Sequence, residues 1–82
     1  MVIVEFEQEF QKRFSKIQSF SLKEKIIKQF LKLKENPESG KPMRYSRKGT
    51  RELYIHPFRL SYLYIEEDDK IVILDLYHKD EQ

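Results

Sequence analysis

Residues 49–82 read GTRELYIHPFRLSYLYIEEDDKIVILDLYHKDEQ, and the patterning of this stretch decides the fold. From Arg51 to His56 apolar and polar residues alternate, with Leu53 and Ile55 on one face and Glu52, Tyr54 and His56 on the other, the period of a half-buried strand. From Phe58 to Glu66 a second strand sets Leu60, Tyr62 and Tyr64 against Arg59, Ser61, Leu63 and Ile65. His56-Pro57 divides the two, because proline lacks an N–H donor and biases its predecessor toward an extended conformation. Glu66 to Lys70 carries no apolar residue and reads as a solvated hairpin tip. Ile71 to Tyr77 is almost continuously apolar, as expected of a central strand covered on both faces, with Asp75 the interruption.

Upstream, Val2 to Phe6 alternates and predicts a first strand, suited to a sheet edge. Phe6, Phe10, Phe14 and Ile17 then recur at helical spacing as one aromatic stripe, which predicts a first helix packed by that stripe. Ser21-Leu22-Lys23-Glu24 has the form of a capping box and predicts the start of a second helix. Along it Leu22, Ile26, Ile27, Phe30 and Leu33 point inward and Lys23, Lys25, Lys28, Lys32 and Lys34 face water, until Asn36-Pro37 ends it. An irregular segment or short strand is expected over Lys41 to Lys48. Two helices joined by about three residues must bury their stripe, and one face of the sheet is the surface available. The expected architecture is α+β, a two-helix hairpin packed on one face of a mainly antiparallel four- to five-stranded sheet, with residues 1–82 as one domain.

Composition narrows the function classes. At 82 residues the chain supports one modest core. The 37% charged content is offset by periodic Leu, Ile, Val, Phe and Tyr, which argues against disorder. No apolar run approaches the ~20 residues needed to cross a membrane, and the N-terminus lacks the features of a signal peptide, so a cytoplasmic protein without membrane partners is expected. No Cys is present and the two His are far apart in sequence, so neither a disulfide framework nor a metal site is expected. Two glycines leave no room for a phosphate-binding glycine loop, and no small-molecule cofactor is expected.

Charge is unevenly distributed although the net value is only +2. Between Lys12 and Lys34 eight Lys or Arg stand against Glu24 alone, a set that reads as a solvated helix exterior or as a polyanion-binding face. Arg44, Arg47, Lys48 and Arg51 form a separate, mostly arginine cluster beside the sheet, and the planar guanidinium suits phosphate. The sheet face left open by the helices is expected to carry Glu52, Tyr54, Arg59, Ser61, Leu63, Asp75 and Tyr77, with Lys79 just beyond. Arg59 on that face admits two readings, a structural ion pair to Asp75 or Glu52 or a group that meets a ligand's negative charge.

The order strand, helix, helix, meander, with G-x-R-E-L-x-I at 49–55, F-R-L-S-Y at 58–62 and I-V-I-L-D-L-Y-H-K at 71–79, resembles the RelE/ParE superfamily of toxins from type II toxin-antitoxin systems. The resemblance implies a metal-independent, ribosome-dependent mRNA endonuclease that inhibits translation, with a cognate antitoxin, the ribosome and mRNA as partners. In the RelE-like branch an arginine on the middle meander strand stabilises the scissile phosphate, and by motif it falls on Arg59. A histidine after the last strand in the YoeB-like branch matches His78, and a basic residue in the RelE branch matches Lys79. Glu52 and Tyr54 stand where that branch has paired lysines, and Lys41 lies near the position of the YoeB-like glutamate. The ParE branch shares the fold and inhibits DNA gyrase, and a binding-only toxin whose main contact is its antitoxin is a third class.

Metal-free RNA cleavage needs a base for the 2′-hydroxyl, a cation for the phosphorane and an acid for the leaving 5′-oxygen. Arg59 is the candidate cation, His78 the candidate acid or base, and Glu52 the candidate complementary base. Antiparallel pairing of neighbouring strands is expected to bring Arg59 and His78 to one site. Tyr54 and Tyr77 are candidates to stack bases, and Arg44, Arg47, Lys48 and Arg51 to hold the RNA backbone.

Overall fold

A computed structural model describes residues 2–43, 49–78 and 80. The elements run β1 (Ile3–Phe6), α1 (Gln8–Ser15), α2 (Phe20–Glu35), β2 (Lys41–Pro42), β3 (Thr50–Ile55), β4 (Phe58–Ile65) and β5 (Lys70–His78). The five strands make one sheet in the order β1-β5-β4-β3-β2. β1 runs parallel to β5 and the other pairs are antiparallel. The two-helix, mainly antiparallel α+β architecture read from the sequence is the architecture observed.

β5 lies between β1 and β4, and Ile71, Val72, Ile73, Leu76 and Tyr77 along it are all buried. Ile71, Ile73 and Leu76 from β5 join Leu60 and Tyr62 of β4, Ile26 and Leu33 of α2, Phe10 of α1 and Ile55 of β3 in one core. Burying each large apolar side chain contributes roughly 1.5–3 kcal/mol. Both helices pack on this face.

Three local expectations are revised. Phe6 ends β1 as expected but is not part of a helical stripe; it is 42% exposed and stacks on Phe10 with ring centroids 5.6 Å apart. α2 starts at Phe20, ahead of the capping box predicted from Ser21, because Ser19 caps it by accepting the Leu22 backbone N–H at 3.2 Å. Ile27 faces solvent rather than the core, along with Phe20 and Leu31.

The tip between β4 and β5 is solvated as expected, a short 3-10 turn (Glu66–Asp68) closed by Asp69 in the left-handed region, where aspartate is better tolerated than most residues. β2 is a two-residue edge strand, and Pro42 suits an edge because it has no N–H to leave unpaired there. Between α2 and β2 the chain passes close over the sheet: Tyr62 Oη donates to Pro37 O and accepts from Gly40 N, both at 2.8 Å. A Cβ on Gly40 would come within 2.6 Å of the Tyr62 ring, so this crossing demands glycine.

Candidate functional site

The register of β3, β4 and β5 determines which side chains share the face away from the helices. Tyr54 pairs with Arg59, and Arg59 with Tyr77, so these three form a row across the sheet; Glu52 and Ser61 stand in the next row, whose third position, Asp75, lies beside the register shift and turns its carboxylate to α1. Between the two rows and the tip, β5 carries an extra residue. Ser61 pairs with Asp75 but Tyr62 pairs with Ile73, so Leu74 is bulged and the alternation of β5 changes phase there. The bulge lets Ile71, Ile73 and Leu76 all reach the core, and it sets Tyr77 on the same face as Arg59.

The same phase change carries His78 to the other face. His78 pairs with Phe58, stands edge-on to its ring with centroids 5.8 Å apart, and takes the Asp80 backbone N–H at its Nδ1. Phe58 packs against the core. The expectation that Arg59 and His78 meet at one site therefore fails: neighbouring strands place them on opposite faces. Asp75 is likewise no partner for Arg59, because its carboxylate is held by Arg13 of α1 at 3.2 Å.

The face around Arg59 is unevenly exposed. Glu52 and Tyr77 are buried, and Tyr77 Oη donates to Glu52 Oε2. Glu52 Oε1 lies 3.7 Å from Arg59 Nη1, an ion pair too long to be a hydrogen bond. Arg59 keeps 38% of its side-chain surface, although its Nε is buried with no hydrogen-bond partner among the described residues. The guanidinium also lies over the Tyr54 ring, 5.7 Å from its centroid. Glu52 thus sits beneath the arginine as a counter-charge, and Tyr77 is tied to Glu52 below the surface. Such positions suit aiming a cation better than taking a proton from, or stacking, a ligand. Tyr54 is the outward member of the row, 53% exposed, and its Oη lies 2.8 Å from Nδ1 of exposed His56.

Of the expected backbone-binding cluster, Arg51 is a structural clamp. Its Nη1 donates to the carbonyls of Glu38 and Gly40, both at 2.9 Å, and its Nη2 meets the Glu38 carboxylate at 3.4 Å. Arg44, Arg47, Lys48 and Lys79 lie outside the described residues. His56, placed on the Glu52 and Tyr54 face by the sequence but not counted there among the candidate site residues, stands beside Tyr54 in the structure. The rule that i and i+2 on a strand share a face already puts the two together. Among the described residues no group of three or more His, Asp or Glu is arranged to hold a metal ion. A separate cleft of about 600 Å³, edged by Lys12, Arg13 and Lys16 and floored by Phe58 and Leu76, opens on the helix side of the sheet.

A family model described as the ParE toxin of the type II toxin-antitoxin system parDE matches residues 4–82. No curated protein sequence matches significantly. Among solved structures, the chain is similar to the toxin-antitoxin complex RelBE2 from Mycobacterium tuberculosis, with TM-score 0.84 and 25% identity over 95% of this chain and 98% of that one. It is also similar to a YoeB/ParE toxin from Agrobacterium tumefaciens, with TM-score 0.84 and 13% identity over 94% and 98% of the two chains. The intact RelBE toxin-antitoxin complex of E. coli aligns with TM-score 0.80 and 15% identity over 95% and 96%. At the two lower identities the likeness is one of fold.

Proposed function

We propose that this chain, which belongs to the ParE toxin family of type II toxin-antitoxin systems, acts by cutting mRNA on the ribosome. The observation that carries this reading is Arg59. A guanidinium at the middle of a strand, on a face without a covering helix among the described residues, is held over a buried carboxylate yet keeps 38% of its side-chain surface. Its loose contact with Glu52 leaves donors available to a phosphate, and Glu52 limits the side chain's freedom before any ligand arrives. Donors fixed in advance where charge develops are the main source of transition-state stabilisation. The experiment is addition of the purified chain to ribosomes carrying mRNA, with cut ends mapped by primer extension. Cuts in the occupied ribosomal site support the reading. Intact mRNA from a preparation that arrests growth overturns it.

A second reading is favoured by the family model itself, since toxins of the ParE branch inhibit DNA gyrase. The same preparation added to a supercoiling reaction tests it. If both assays are negative while the chain still binds its antitoxin, the third class, a binding-only toxin, is the one that stands.

An antitoxin partner is supported by the solved relatives RelBE2 and RelBE, which are toxin-antitoxin complexes. On this chain Phe20, Ile27 and Leu31 are exposed on α2 at spacings of seven and four, so they stand along one line of the helix. Lys23, Lys28 and Lys34 flank that line. An acidic amphipathic segment matches both the apolar line and its basic borders. Co-expression with the adjacent small protein followed by gel filtration tests the pairing. Replacing Phe20, Ile27 and Leu31 by Ser should weaken the complex without unfolding the toxin. We place the complex in the cytoplasm; no helix among the described residues is long and apolar enough to cross a membrane.

A further inference from the structure

We propose that Tyr54 and His56 form the proton-transfer unit of this site, with Tyr54 Oη touching the substrate and His56 drawing the proton through it. The inference rests on the nuclease reading and deepens it. Three observations converge on the pair. Tyr54 and His56 share the face of β3 that also carries Glu52, and Tyr54 is paired directly across the strands with Arg59. Tyr54 Oη and His56 Nδ1 are 2.8 Å apart, hydrogen-bond distance for a hydroxyl and an imidazole. Both side chains are exposed, and the Arg59 guanidinium lies over the Tyr54 ring. A hydroxyl with a base behind it, beside a cation, supplies two of the three parts that metal-free phosphodiester transfer requires.

With His56 carrying its proton on Nε2, the Tyr54 hydroxyl donates to Nδ1. A phosphodiester against Arg59 then presents its neighbouring 2′-hydroxyl to Tyr54 Oη. The 2′-hydroxyl gives its proton to Tyr54 as Tyr54 passes its own to His56 Nδ1. The 2′-oxygen bonds to phosphorus, and the P–O5′ bond breaks with its electron pair leaving on the 5′-oxygen. That oxygen takes a proton from solvent water, giving a 2′,3′-cyclic phosphate and a free 5′-hydroxyl. The exposed imidazolium returns its proton to solvent, so no proton is gained or lost over the cycle. Tyr54 is the catalytic residue in this scheme and His56 its positioning and proton-accepting partner. A stacking role for Tyr54 needs the ring alone, whereas this role needs the oxygen, and the difference can be measured.

The experiment compares single-turnover cleavage of ribosome-bound mRNA by the wild type, Tyr54→Phe, His56→Ala and His56→Ala with added imidazole, with thermal melting of each protein. Tyr54→Phe should cleave about 100-fold more slowly with KM little changed, because the ring remains and the hydroxyl does not. His56→Ala should fall by a similar factor and recover in part with imidazole, which a structural role would not produce. Melting temperatures should stay at the wild-type value, since both positions are exposed. The His56 ring resonances, followed by NMR in wild type and Tyr54→Phe, should move when the phenol is lost; unchanged resonances would overturn the pair without reference to activity. If wild type cleaves and Tyr54→Phe cleaves equally fast, the relay is wrong and the nuclease reading stands. If wild type leaves mRNA intact, the nuclease reading falls and the relay falls with it.

Discussion

Arg59, Glu52 and Tyr77 act as a stack in depth: a cation at the surface, a carboxylate under it and a phenol fixing the carboxylate. A single charge at Arg59 satisfies Glu52, but only the planar fork also spans two phosphate oxygens. Arg59→Lys should therefore keep the melting temperature within a few degrees while lowering ribosome-dependent cleavage by roughly 100-fold. Equal losses of stability and activity would return Arg59 to a purely structural role. Tyr77→Phe removes a donor from a buried carboxylate and should cost about 1–3 kcal/mol in urea unfolding. Arg59 is legible in the sequence because a lone arginine in an apolar alternation has no packing reason to be there. The burial of Glu52 is not, since strand alternation gives a residue's face but not how deeply its neighbours cover it.

At the scale of elements, the strands of the meander and the end of α2 can be read from period and punctuation, and β5 announces its central place by its apolar run. The Leu74 bulge cannot be read, because no Gly or Pro marks it. Its effect is large: one inserted residue reverses the facing of everything after it, which puts Tyr77 with Arg59 and sends His78 to Phe58. His78→Gln should accordingly leave the rate of mRNA cleavage within about twofold of wild type, and a loss like that of Arg59→Lys would contradict this facing. The start of α2 is misread from the sequence because Ser21 with Glu24 has the form of a capping box, whereas the serine that reaches a free N–H is Ser19, two residues earlier. Ser19→Ala should cost about 0.5–2 kcal/mol in thermal or urea unfolding, and Ser21→Ala markedly less. The crossing at Gly40 is similarly specific, and Gly40→Ala should cost about 1–3 kcal/mol by forcing the Tyr62 ring aside.

For the molecule as a whole, a small core makes each connection between layers count, and Tyr62 makes one of the longest. It lies fully buried in β4 and ties the segment after α2 to the sheet through Pro37 and Gly40, while Arg51 secures the same segment from β3. Burial pushes the Tyr62 phenol above its ordinary pKa, and the Gly40 N–H and the Arg51 charge oppose that shift only in part. A folded-state value above the unfolded one means that the folded chain holds this proton more tightly. The stability so gained is fully present below the unfolded phenol value of about 10 and is lost as pH rises through the folded value. Tyr62→Phe should be less stable than wild type by about 1–3 kcal/mol at pH ~8, because the buried Pro37 carbonyl and Gly40 N–H lose their partner. Above pH ~10 the wild type alone surrenders this proton-linked contribution, so the gap between the two proteins should narrow. Urea midpoints measured from about pH 8 to about pH 11 decide the matter: a gap that stays constant across that range would show that the Tyr62 proton has no part in holding the segment after α2 to the sheet.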